Sequence, residues 1–78
     1  MRLNVKYFGM IVEWSQEDKS QIEVEGSSVD ELRSALVQAI PQLKTITYQI
    51  AVNQKLVTTD IDLSEDDEIA ILPPFAGG

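Results

Sequence analysis

Residues 28–41 read Ser28-Val29-Asp30-Glu31-Leu32-Arg33-Ser34-Ala35-Leu36-Val37-Gln38-Ala39-Ile40-Pro41, and this stretch decides the fold. Val29, Leu32, Ala35, Leu36, Ala39 and Ile40 recur at helical spacing, with Leu43 one turn further on. Ser28 and Glu31 match a capping box, in which Ser28 accepts from the Glu31 amide and the Glu31 side chain reaches back. Asp30 and Glu31 in the first turn suit the positive end of the helix dipole. Pro41 ends the regular helix. The opposite face carries Arg33, Ser34 and Gln38. The spacing therefore predicts one amphipathic helix whose apolar stripe must cover a sheet.

Strand patterns flank this helix on both sides. Leu3, Val5 and Tyr7 alternate with Arg2, Asn4 and Lys6, which is the period of a strand with one buried face. Phe8 adds an apolar residue on the polar side, Gly9 loosens the chain, and Met10-Ile11-Val12-Glu13-Trp14 follows. Ser15 to Ser20 is polar and reads as a loop. Gln21 to Glu25 alternates again, predicting a second strand paired with the first as a long-looped hairpin. Beyond the helix, Tyr48 to Asn53 reads as a third strand and the run through Leu56-Val57 as a short fourth. Asn53-Gln54-Lys55 is the tight connection between them. Thr58 to Ser64 is connecting chain, with Ile61 and Leu63 as anchors, and Glu65-Asp66-Asp67 is a polar turn. Glu68 to Leu72 is the last strand, expected beside the first and parallel to it. The order β, β, α, β, short β, β predicts an α+β fold. Its arrangement is a β-grasp (ubiquitin-like) domain: a mixed sheet of four to five strands with one main helix packed on one face.

Composition excludes several classes of function. The chain has no cysteine and no histidine. It therefore has no disulfide framework, no thiolate metal site, and no cysteine–histidine or serine–histidine catalysis of its own. The formal net charge is −7, which repels nucleic-acid phosphates and anionic membranes alike. The start of the chain lacks the apolar core of a signal peptide. No apolar run approaches the roughly 18 residues of a membrane span. A soluble, cytoplasmic protein is expected, with a partner more basic than itself. Glu65 to Glu68 lacks the glycine and spacing of a calcium loop and reads as a solvated turn. Asp60 and Asp62 share a connection and could form a carboxylate pair, but nothing in the body of the chain makes a catalytic constellation or a metal site.

Pro73-Pro74-Phe75-Ala76-Gly77-Gly78 follows the last strand. The prolines cannot donate ladder hydrogen bonds and should stop the sheet. Residues 1–72 are thus expected to form the β-grasp domain, and 73–78 an extended tail that reaches about 20 Å. Without a Cβ, Gly77 and Gly78 allow a partner's backbone and a reagent to come close. Terminal glycines also suit a frayed end, so both readings stand on the residues alone. Strand parity places Phe8 and Leu72 on the sheet face that the helix leaves open, with Leu56 joining them. Scattered surface apolars are ordinary; a contiguous patch beside the tail would mark a partner interface.

These residues carry a resemblance. The chain resembles the small subunit of molybdopterin synthase, a ubiquitin-like sulfur carrier. The resemblance rests on Ala51-Val52-Asn53-Gln54-Lys55-Leu56-Val57, on Asp67-Glu68-Ile69-Ala70 and on Pro73-Pro74-Phe75-Ala76-Gly77-Gly78. Tyr7-Phe8-Gly9 with Glu13, and Val29-Asp30-Glu31-Leu32-Arg33, are similar to the family as well. Phe75 stands where the family usually has a smaller, often β-branched residue. Val12 and Ser15-Gln16 replace the family's usual arginine and glycine around Glu13.

The resemblance implies a role in molybdenum cofactor biosynthesis. Gly78 would be adenylated, converted to a thiocarboxylate and made the sulfur donor to cyclic pyranopterin monophosphate. Pro73, Pro74, Phe75, Ala76 and Gly77 would thread the partner's active site, and the patch read from strand parity, Phe8, Leu56 and Leu72, would then be the surface that docks on it. The partners implied are the large, catalytic synthase subunit, in a heterotetramer of two small and two large subunits, and an adenylating enzyme that uses ATP. The chain itself would bind no cofactor and catalyse nothing alone. A sulfur carrier of the thiamine pathway has the same fold and the same Gly-Gly end. A ubiquitin-like protein modifier is the alternative from another class.

Overall fold

The computed structural model describes residues 1–74. Its main helix, α2, spans Val29–Ala39 and begins as the capping box predicts. Ser28 Oγ accepts from the Glu31 amide at 3.2 Å and donates to the Glu31 carboxylate, also at 3.2 Å. The glutamate thus reaches back to the hydroxyl, and its carboxylate lies against the Cα of Gly26, whose φ of +90° suits glycine. Val29, Leu32 and Leu36 are buried from α2, followed by Ile40 and by Leu43 in a 3-10 turn over Pro41–Thr45. Ala39, expected in the stripe, is exposed.

The stripe covers a five-stranded mixed sheet. β1 is Arg2–Tyr7, β2 Lys19–Glu23, β3 Gln49–Val52, β4 Lys55–Val57 and β5 Glu68–Leu72. Their order across the sheet is β2-β1-β5-β3-β4. β1 and β5 run parallel at its centre, with Val5 opposite Ile69 and Tyr7 opposite Ile71; every other pairing is antiparallel. This is the β-grasp arrangement. Leu3, Val5, Tyr7, Ile50, Val52, Ile69 and Ile71 line the helix-covered face, and Leu63 closes the core from the connection before β5.

The chain departs from expectation between Gly9 and Gln21. Met10–Ser15 forms a second, short helix, α1, with Ile11 buried. Gly9 opens it at φ +59° and Gln16 closes it in the left-handed region, donating its N–H to Val12 O at 2.8 Å. The hairpin strand also starts two residues earlier than its alternation suggests. Ser20 is a polar residue on the core side, kept there by a 2.6 Å hydrogen bond with the Tyr7 hydroxyl. Burial raises the Tyr7 pKa, and the bond to Ser20 partly offsets it. Val24 lies beyond β2 yet is buried, and its amide donates to Met1 O at 2.7 Å.

Ile61 is a second correction. Its side chain is exposed, and it anchors through its carbonyl, which accepts from the Val29 amide at 3.0 Å. The Asp60 carboxylate accepts from the Asp30 amide at the start of α2, and the Asp62 backbone forms an isolated antiparallel bridge with Ser28. Asn53 and Gln54 both take positive φ in the β3–β4 turn, as primed hairpin turns require. The Asn53 side chain accepts from the Glu68 amide at 3.0 Å and donates to Asp67 at 3.0 Å.

Asp67 also accepts from the Ser64 amide at 2.8 Å. That bond, then the one from Asn53, holds its carboxyl below the usual carboxylate range. A depressed folded pKa gives stability that is complete above the unfolded value of about 4 and is lost as pH falls through the folded one. Asp67→Ala is therefore expected to be less stable than wild type at neutral pH, with the gap narrowing as the solution is acidified. Urea midpoints measured from neutral to acid pH check this, and a gap that widens on acidification would contradict it.

Candidate functional site

The sheet face opposite α2 is built by alternation. Where Ile69 and Ile71 point to the core, Ala70 and Leu72 point away, as does Ala51 between Ile50 and Val52. The register lines these residues up. Leu56 lies opposite Ala51, Ala51 opposite Ala70, and Ala70 opposite Lys6, one row across four strands. Leu72 lies one row further along, opposite Gln49. Phe8 follows directly on the β1–β5 ladder, which ends at Tyr7 opposite Ile71.

Phe8 is 43% exposed, Leu56 54%, and Leu72 is half-buried. Leu56 and Leu72 are separated by β3, hence by about 10 Å of sheet. In the neighbouring row Ala51 and Ala70 link them through small apolar side chains, while exposed Gln49 sits beside Leu72. Sequence reading missed Ala51 as a member of this face, because only the pairing register reveals which residues it joins. Met10, 41% exposed and two residues after Phe8, adds apolar surface nearby.

β5 stops at Leu72, and Pro73 and Pro74 follow, the first half-buried and the second exposed. The Pro73 ring packs on Gly9, so closely that a Cβ there would lie 2.8 Å from Pro73 Cγ. Gly9 has φ +59° and ψ −137°, a conformation that side chains resist. This contact joins the start of α1 to the residue that follows β5, and no local sequence signal could have announced it. Phe75, Ala76, Gly77 and Gly78 lie outside the described residues. Among the described residues, no group of three or more acidic side chains could hold a metal ion, and no helix is long and apolar enough to cross a membrane.

The topology and the open face define the chain as a ubiquitin-like β-grasp protein with one helix-covered and one partly apolar sheet face. Residues 5–78 match the family model described as ThiS family, and the chain belongs to that family. A curated relative, the molybdopterin synthase sulfur carrier subunit of Mycobacterium tuberculosis, is 35% identical over 100% of this chain and 99% of its own. Among solved structures, a Pyrococcus furiosus protein assigned provisionally as molybdopterin converting factor subunit 1 superposes with a TM-score of 0.85. It is 26% identical, covering 96% of this chain and 99% of its own. A complex of subunits 1 and 2 of the molybdopterin-converting factor from Helicobacter pylori contains a chain that matches with a TM-score of 0.70. That chain is 31% identical, with 100% of both chains covered.

Gly9→Val places a β-branched side chain at positive φ and against Pro73, a strain of about 1–3 kcal/mol. Its thermal midpoint is expected to fall, and the resonances of Pro73 to shift; an unchanged midpoint and spectrum would show that the turn accommodates the side chain freely.

Proposed function

We propose that this chain is the sulfur-carrying subunit of a molybdopterin synthase. The observation that carries the proposal is the adjacency of the apolar open face to the proline-stopped end of β5, from which a sequence ending in Gly77-Gly78 departs. The family membership and the relatives' names support it. Residues 1–72 act as the folded carrier and 73–78 as the arm. Phe8, Leu56 and Leu72 seat the carrier on the large, catalytic subunit, while Pro73, Pro74, Phe75, Ala76 and Gly77 run into that subunit's active site. Two copies of each subunit make the assembly.

The chemistry asks little of the chain beyond a reachable carboxylate. A carboxylate is a poor electrophile toward sulfur, so it must first be activated. An adenylating partner enzyme brings ATP. The Gly78 carboxylate attacks the α-phosphorus, pyrophosphate leaves, and an acyl-adenylate forms. A donor that delivers sulfur at the sulfide level attacks the acyl carbon and displaces AMP, leaving a thiocarboxylate. Within the synthase that sulfur passes to cyclic pyranopterin monophosphate, toward the dithiolene of molybdopterin. The chain has neither histidine nor cysteine and is non-catalytic on its own, which fits a subunit whose activation comes from partners.

Intact mass after co-expression with the cognate adenylating enzyme, a sulfur donor and ATP tests the proposal. Replacement of one oxygen by sulfur, mapped to Gly78, is expected; an unchanged mass with active partners would overturn it. Gly78→Ala should fold normally and lose sulfur loading or transfer. Phe8→Lys should weaken binding to the large subunit at least tenfold, about 1.4 kcal/mol, because docking would bury an unpaired charge. Calorimetric titration reads this directly, and an unchanged affinity would move the interface off this face.

A further inference from the structure

The row that joins Leu56, Ala51 and Ala70 does not end at Lys6. Lys6 lies opposite Lys19 on β2, so two ammonium-bearing side chains face each other across neighbouring strands. Both are exposed. With Asn4, Gln21 and Glu68 they border a shallow depression of about 400 Å³. Asn4 and Gln21 satisfy one another through a 3.2 Å hydrogen bond. Glu68 lies in the next row, opposite Asn4. Among the described residues the ion pairs join Glu23 to the Met1 amine and to Arg2; neither lysine takes part.

This placement works against the fold. Like charges directly opposed on a sheet destabilise it. The chain holds only six basic residues against thirteen acidic ones, so ion-pair partners are plentiful elsewhere on its surface. Two of those six nevertheless oppose each other at the margin of the apolar face. A partner seated on Phe8, Leu72 and Ala70 comes over Lys6, and desolvating an ammonium without a counter-charge is unfavourable.

We propose that Lys6 and Lys19 form a docking point for an aspartate or glutamate on the partner protein that covers the open face. The inference rests on the sulfur-carrier reading, and it gives the partner's surface a bipolar chemistry. The arm and the acidic body call for basic groups on that partner, and this corner calls for an acid. A carboxylate between the lysines converts their mutual repulsion into attraction on docking, and it steers the encounter before contact.

The test measures association of the full chain with the cognate large synthase subunit at low and physiological salt, alongside thermal midpoints. Lys19→Gln, and the double variant Lys6→Gln with Lys19→Gln, are compared with wild type. The association rate of the double variant is expected to fall about tenfold at low salt, with a flatter salt dependence. Its midpoint is expected to hold or rise, since the repulsion is gone. Wild-type rates and salt slopes in the double variant would overturn the inference alone, and so would a lowered midpoint, which would assign the lysines to the fold. Failure of the wild-type chain to bind the large subunit would overturn the sulfur-carrier reading and the inference together.

Discussion

The parallel pairing of β1 with β5 is the constraint on which the rest of the molecule depends. It sets Val5 beside Ile69 and Tyr7 beside Ile71 under α2, and so forms the middle of the core. A parallel pair cannot be closed by a short turn; it needs a crossover. Here the crossover is nearly everything between the two strands, including α2 and the β3–β4 hairpin. Because the two strands point the same way, they leave the sheet at the same end. Gly9 therefore meets Pro73, with Phe8 and Leu72 directly before them, and the apolar face and the end of β5 share one edge of the molecule.

A few polar clips hold the crossover in place. The connection before β5 is pinned to the start of α2 by the Ile61 carbonyl, the Asp60 carboxylate and the bond from the Leu63 amide to Ser27 O. The β3–β4 turn is pinned to the start of β5 through Asn53. Among the described residues no buried side-chain polar atom lacks a partner. That matters in a chain this small, where one orphaned group would consume much of the net stability.

The main helix and the strand order were legible because their patterns repeat often enough to be read. Val29 to Ile40 offers three turns of apolar stripe plus a cap, and β1 offers three alternations. α1 was not legible: six residues supply too few repeats, and only Ile11 is fully buried. The start of β2 was hidden because Ser20 occupies a core-side position that an apolar residue would normally mark, and a partner for Tyr7 explains why it can. Ile61 looked like an anchor by its side chain but works through its carbonyl. At the site, strand parity sufficed to put Leu72 and Ala70 opposite the core. The Gly9–Pro73 contact and the Lys6–Lys19 opposition belong to pairing between distant residues, which no window of sequence contains. Phe75 to Gly78 lie outside the described residues.

The centrality of β5 has a consequence for how the protein is made. β5 is the last of the five strands to be synthesised, yet it occupies the middle of the sheet between β1 and β3. Until it emerges from the ribosome, the first hairpin and the β3–β4 pair have no shared neighbour, and the face of α2 lacks Ile69 and Ile71 to cover. Native contacts spanning nearly the whole chain must close before the fold is complete, which slows folding relative to local topologies. Truncation before Glu68 removes the central strand rather than trimming an edge. A nascent or prematurely terminated chain that lacks β5 therefore exposes its core to proteolysis, and only a chain that includes this strand can close the sheet, so folding itself screens for chains that extend through β5.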